Sequence, residues 1–226
     1  MQSFEIVQLN IAGFSFQEPM ALLTNWFIAA FCFIVYFFTP WAYSTSSESF
    51  KKFYLFLGLS TFLGGFGHFF YQYTGMLGKN PSWIFAVFAG FYIGKGILVY
   101  WRDNIYYAFW HRFLFFKSLF LLLLTLSLQK FVFVAIDAIL TYVLYSGFIA
   151  WRISIREKKE MKYFVYGMFI LFPSAFIFLM DINLHRYLNR DDLSHVLMFF
   201  CIIFFYFGVR ISNKKYLLNS TSPISQ

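Results

Sequence analysis

The sequence predicts an all-α fold, a polytopic membrane protein built as a bundle of seven transmembrane helices. Three observations predict it. The chain of 226 residues is 60% hydrophobic and only 12% charged, about half the ~25% charge of an ordinary soluble domain. Seven apolar runs each approach the ~20 residues that cross a hydrocarbon core. Lysine and arginine are abundant in every second loop, the pattern that the positive-inside rule imposes on a spanning chain.

The runs follow in order. The first, 20–43, carries Asn25 near its start and ends around Pro40. The second, 53–73, contains Gly64, Gly65 and Gly67 just before His68, and small residues in a membrane helix permit close packing of neighbours. The third, 82–101, begins after Pro81 and holds Lys95 toward its inner end, where a lysine can snorkel to the headgroups. The fourth, 110–128, is crowded at its start by His111, Arg112 and Lys117. Only Gln129 and Lys130 separate it from the fifth, 131–151, which holds Asp137; the two form a tight helical hairpin. The sixth, 162–181, contains Pro173, expected to kink it. The seventh, 193–211, follows Asp191 and Asp192.

With seven spans the loops alternate sides. Lys79, Lys130, Arg186 and Arg190 fall on one side and thirteen lysines and arginines on the other. The poorer side is outside, so the N-terminus is expected outside and the C-terminus in the cytoplasm. Residues 1–17 lack a basic n-region and an A-x-A-like exit, so the first helix is expected to direct its own insertion. The net charge of +8 follows this topology and points to no nucleic acid. The basic loop with Arg152, Arg156, Lys158 and Lys159 is explained by attraction to anionic lipids. Cys32 and Cys201 lie inside apolar runs and read as small apolar filler rather than a disulfide framework.

Ionisable groups inside a membrane segment are functional candidates by default, and several share one depth. At a ~1.5 Å rise per residue, His68 lies roughly 8 Å below the outer end of its span. His195 lies within about one turn of the outer start of the seventh run, Asp181 closes the sixth, and Asn25 and Asp137 sit in the same outer half. Residues at i and i+3 or i+4 share a helix face, so Asp191 or Asp192 can point with His195 at one cation. His68 would close the site from across the bundle. Histidine and carboxylate with an open water position is the composition of a catalytic zinc site. Zinc there would lower the pKa of bound water and polarise an acyl carbonyl, with Asp192 and Asp181 as the candidate catalytic carboxylates and His68, Asp191 and His195 as the candidate metal ligands.

Other readings of the same residues stay open. His68 and His195 serve equally well as interhelical hydrogen-bond partners, and Asp191 and Asp192 as capping residues at a helix start. That gives a non-enzymatic, structural or sensory protein of the same fold. A small proton-coupled transporter using Asp137, His68 and Lys95 is a third reading, against which stands the lack of an inverted repeat or paired broken helices. Membrane lipids are the expected partners; the oligomeric state is not set by the sequence.

Three segments carry a resemblance: Leu23-Thr24-Asn25, Gly64-Gly65-Phe66-Gly67-His68, and Asn189-Arg190-Asp191-Asp192-Leu193-Ser194-His195. With the seven-helix topology, they resemble the alkaline ceramidase and progestin/adiponectin receptor superfamily, and an uncharacterised bacterial branch of it more closely. The resemblance implies an intramembrane zinc-dependent hydrolase of a lipid amide or ester in a bacterial cytoplasmic membrane. It implies that His68 matches the helix-two ligand and His195 the second helix-seven ligand. The first helix-seven ligand falls on Asp191 instead of histidine. The serine four residues before the helix-two histidine falls on Gly64, and the aspartate shortly after helix two has no counterpart, since that stretch offers Lys79 and Asn80.

Overall fold

The computed structural model describes residues 7–156 and 158–221. Residues 1–6 of the stretch read for a leader, and position 157 in the basic loop, lie outside the described residues. A short hairpin comes first, β1 (Gln8–Ile11) and β2 (Phe14–Gln17). Its antiparallel register pairs Ile11 with Phe14, leaving the two-residue loop Ala12-Gly13 with φ of 51° and 82°. Positive φ at both central residues is what a type I′ hairpin turn requires.

Seven helical rods follow among the described residues. They are α1 (Pro19–Phe38), α2 (Thr45–Phe69), α3 (Asn80–Leu98), α4 (Tyr107–Leu128), α5, α6 (Met161–Leu179) and α7 (Arg190–Thr221). A one-turn helix, Tyr71–Thr74, and a 3-10 turn, Gly75–Lys79, link α2 to α3. The rod α5 runs as α-helix over Val132–Ala138, π-helix over Ile139–Gly147, and α-helix over Phe148–Arg156.

The ends have local causes. Proline stands in the first turn of α1 and of α3, where its missing N–H costs nothing. The first helix stops at Phe38, short of the expected 43, because the residue before Pro40 is turned out of the helical region. The Ser44 hydroxyl caps α2 by accepting from the Ser47 N–H at 3.1 Å, so α2 starts well before the expected 53. Gln129, at φ 51°, closes α4 and makes the expected turn into α5. Pro173 is carried inside α6.

Among the described residues, six helical stretches are long and apolar enough to cross a membrane, those at 19–38, 71–101, 107–128, 132–155, 161–179 and 190–218. The rod outside that set is α2, whose first turns bring Ser46, Ser47, Glu48, Lys51 and Lys52 and whose last turns bring three glycines and His68. It is also the central helix, packed along α1 on one side and α3 on the other. The core is aromatic. Phe50, Phe53, Tyr54, Phe164 and Phe205 are buried together, with Phe164 and Phe205 ring centres 5.3 Å apart. Glycines make that packing possible between α6 and α7. A Cβ at Gly167 would come within 2.7 Å of the Phe205 ring, and one at Gly208 within 2.6 Å of the Phe164 ring. Outward, Phe27, Phe37, Phe38, Phe116 and Phe169 are exposed. So many large exposed apolar side chains suit lipid rather than water, and the chain is an integral membrane protein by helix length and composition.

Candidate functional site

The site forms where four segments meet at one end of the bundle. The hairpin supplies Glu18. Phe16 of β2 stacks on Phe69 at the end of α2, centres 4.4 Å apart and 7° from parallel, and meets Phe70 edge-on. The Ser15 N–H donates to the Tyr73 hydroxyl at 3.1 Å. Glu18 then leaves β2 with a left-handed backbone, φ 48°, a conformation that costs a non-glycine residue on the order of 1–3 kcal/mol. Its N–H donates to Val7 O at 3.0 Å, and its carbonyl accepts from Leu22 N at 3.3 Å. The result turns the carboxylate back over the end of α2.

There it meets His68. Glu18 Oε2 lies 2.6 Å from His68 Nδ1, both side chains largely shielded. Lys79 Nζ, from the turn before α3, approaches the same nitrogen at 3.3 Å. Burial alone would push the Glu18 carboxyl up; the His68 hydrogen bond and the charges of His68, Lys79 and His195 outweigh it and hold the group below the usual carboxylate range. Asp191, in the first turn of α7, completes the group: ligand atoms of Glu18, His68 and Asp191 all lie within 4.8 Å of one another.

The packing that seats His68 is glycine-dependent. A Cβ at Gly64 would meet Ser82 Oγ at 2.9 Å, one at Gly65 the Trp26 ring at 2.9 Å, and one at Gly67 the carbonyl oxygen of Gly78 at 3.0 Å. The last contact is backbone on backbone, next to Lys79. It fixes the turn that carries Lys79 against the helix that carries His68.

His195 stands beside this group, its ring centre 6.4 Å from that of His68. Its Nδ1 faces Thr24 Oγ1 at 3.1 Å and Asn25 Nδ2 at 3.4 Å, so Nε2 is the atom it can offer a metal. Asp192 is buried, with Oδ1 3.4 Å from Thr24 Oγ1 and Oδ2 accepting the Asn189 N–H at 3.3 Å. Asn189 in return accepts the N–H groups of Asp191 and Asp192 at 2.9 and 3.0 Å. This reciprocal cap fixes the start of α7. Asp181 is placed elsewhere: its exposed carboxylate pairs with Arg190 at 3.0 Å and accepts from Asn183. Arg190 also reaches Asp191 at 3.7 Å.

The cluster opens on a cavity of about 350 Å³ that runs into the bundle between α2, α3, α5, α6 and α7. His68, Lys79, Asp191 and His195 line it, as does Asp137, while apolar side chains make up most of its wall. Behind Asp137 lies Lys117, paired with it at 2.5 Å and also bonded to Thr141.

Sequence reasoning brought His68, Asp191 and His195 to one depth and missed Glu18 and the orientation of Lys79. Glu18 precedes the first apolar run, so depth along a span does not place it. The available signal was a carboxylate directly before a proline-led helix start, on the side where His68 and Asp191 were already expected.

The sequence model of one family, described as a family of unknown function (DUF6962), matches residues 20–214. The chain belongs to that family. No curated protein and no solved structure matches it. The matched segment contains His68, Lys79, Asp191, Asp192 and His195, and Glu18 stands two positions before it.

Proposed function

We propose that the protein is a metal-dependent intramembrane hydrolase of a lipid amide or ester. The observation that carries the reading is the Glu18–His68–Asp191 group, whose His68 and Asp191 line a largely apolar cavity. The donor set fits a zinc ion: two carboxylates and an imidazole already converge, and His195, its ring centre 6.4 Å from that of His68, is the candidate for a second nitrogen. A bound zinc supplies Lewis-acid polarisation of a carbonyl and activation of water. The residues of the chain do the rest. The apolar wall takes an acyl chain and keeps water from it. Glu18 and Asp191 supply the negative charge that would balance the cation. Lys79, whose Nζ lies 3.3 Å from His68 Nδ1, is a cation suited to stabilise charge developing on a carbonyl oxygen. Asp192 is a positioning residue, through Thr24 and the cap of α7.

The same proposal takes α2 as a seventh span. It packs between two helices fit to cross; the Lys/Arg distribution favours the N-terminus and this site on the outer face, and the resemblance to a bacterial branch favours a bacterial cytoplasmic membrane. The test is hydrolysis of labelled lipid amides and esters by purified protein, with chelator and with zinc restored. Activity lost to chelator and recovered with zinc is expected; full hydrolysis by metal-free protein would contradict the reading.

A further inference from the structure

The hairpin has two unlike faces. Residues directly opposite in an antiparallel pair share a face, and neighbours alternate. The register Gln8↔Gln17, Leu9↔Phe16, Asn10↔Ser15, Ile11↔Phe14 therefore puts Leu9, Ile11, Phe14 and Phe16 on one side. It puts Gln8, Asn10, Ser15 and Gln17 on the other. No residue from 8 to 17 is charged. Of the four apolar side chains only Phe16 is stacked on the bundle, against Phe69 and Phe70; Leu9, Ile11 and Phe14 are 42%, 51% and 59% exposed. A lone two-stranded hairpin is marginal in water, and the Phe16 ring with the Ser15–Tyr73 hydrogen bond is little to hold it.

We propose that this face is a membrane-seating surface: Leu9, Ile11 and Phe14 insert at the hydrocarbon–headgroup boundary of the leaflet at that end of the bundle. Continuity with the membrane-facing surface commits the occupant to lipid. Glu18 is followed at once by Pro19, the first residue of a helix fit to cross, so the hairpin cannot stand far from the bilayer plane. Tyr73, whose hydroxyl accepts the Ser15 N–H, is exposed beside it, and tyrosine is a residue of that boundary. The polar face then turns toward the headgroups and water. Because the hairpin ends on Glu18, seating it in lipid also holds that carboxylate over His68. The seating itself does not depend on the protein being a hydrolase.

The test places an environment-sensitive fluorophore on Ile11→Cys, Phe14→Cys and Asn10→Cys variants of the whole chain, one copy per phosphatidylcholine nanodisc. The native Cys32 and Cys201 are buried, which directs labelling to the introduced thiol. Blue-shifted emission quenched by spin-labelled lipid at positions 11 and 14, with red-shifted, iodide-quenched emission at position 10, is the expected alternation. Iodide quenching at all three positions overturns the proposal. So does shielding at 11 and 14 without quenching by spin-labelled lipid, which would assign the face to protein contact.

Discussion

Replacing Lys117 by methionine strands a carboxylate inside the bundle. The two side chains of the Lys117–Asp137 pair are 7% and 2% exposed and 2.5 Å apart. Breaking a buried pair by removing one partner costs about 3–5 kcal/mol. A second route gives a similar figure: neutralising an aspartate of ordinary pKa near 3.9 at pH 7 takes about 4 kcal/mol. The single variant Lys117→Met is therefore expected to lose roughly 3–4 kcal/mol. The loss has a sign in pH. A stranded carboxylate is relieved by taking up a proton, so the penalty of Lys117→Met shrinks by about 1.4 kcal/mol for each unit that pH falls. A stranded ammonium is relieved by losing one, so the penalty of Asp137→Leu shrinks as pH rises. The double variant Lys117→Met/Asp137→Leu leaves no charge and is expected within about 2 kcal/mol of the parent and flat in pH. The assay is unfolding in mixed micelles under increasing dodecyl sulfate, followed by circular dichroism from pH 5.5 to 8.5, read as a double-mutant cycle. Additive losses, or single variants with parallel pH dependence, would refute the pairing.

Three further outcomes follow from local geometry. Gly67→Ala puts a methyl 3.0 Å from the Gly78 carbonyl oxygen; a cost of about 1–3 kcal/mol and weaker metal retention at unchanged helicity are expected, by calorimetry and mass spectrometry. Ser44→Ala removes the cap of α2 and should lower stability by about 1 kcal/mol without altering metal content. Phe16→Ala removes the ring stacked on Phe69; backbone amides of 8–17 should exchange much faster with solvent while those of α2 do not.

The helical architecture was legible because it rests on the length of apolar runs, which lipid makes nearly sufficient. The seven runs each found a rod, and the 129–130 turn and the glycine packing before His68 appeared where expected. What was not legible depended on azimuth and on short-range turns. The hairpin is too brief to stand out beside the apolar runs, although Leu9, Ile11, Phe14 and Phe16 around Ala12-Gly13 carry its pattern. Without it, Glu18 reads as a loop residue. The partner of Asp137 was not legible either, since Lys117 is twenty positions earlier in the neighbouring helix and reads as part of a basic helix start. For Asp192, spacing alone could not separate a ligand from a cap, and the structure gives it hydrogen bonds to Asn189 and Thr24.

Metal content reports directly on whether Glu18, His68 and Asp191 hold a cation. Purified protein, reconstituted with zinc and desalted, would be measured by plasma mass spectrometry beside Glu18→Gln, His68→Ala, Asp191→Asn and Asp181→Asn, each first checked for parental helicity. Near-stoichiometric zinc is expected in the parent and in Asp181→Asn, and its loss from the other three. Folded parent protein without zinc, or Glu18→Gln and Asp191→Asn retaining it as fully as the parent, would contradict a metal site at these residues.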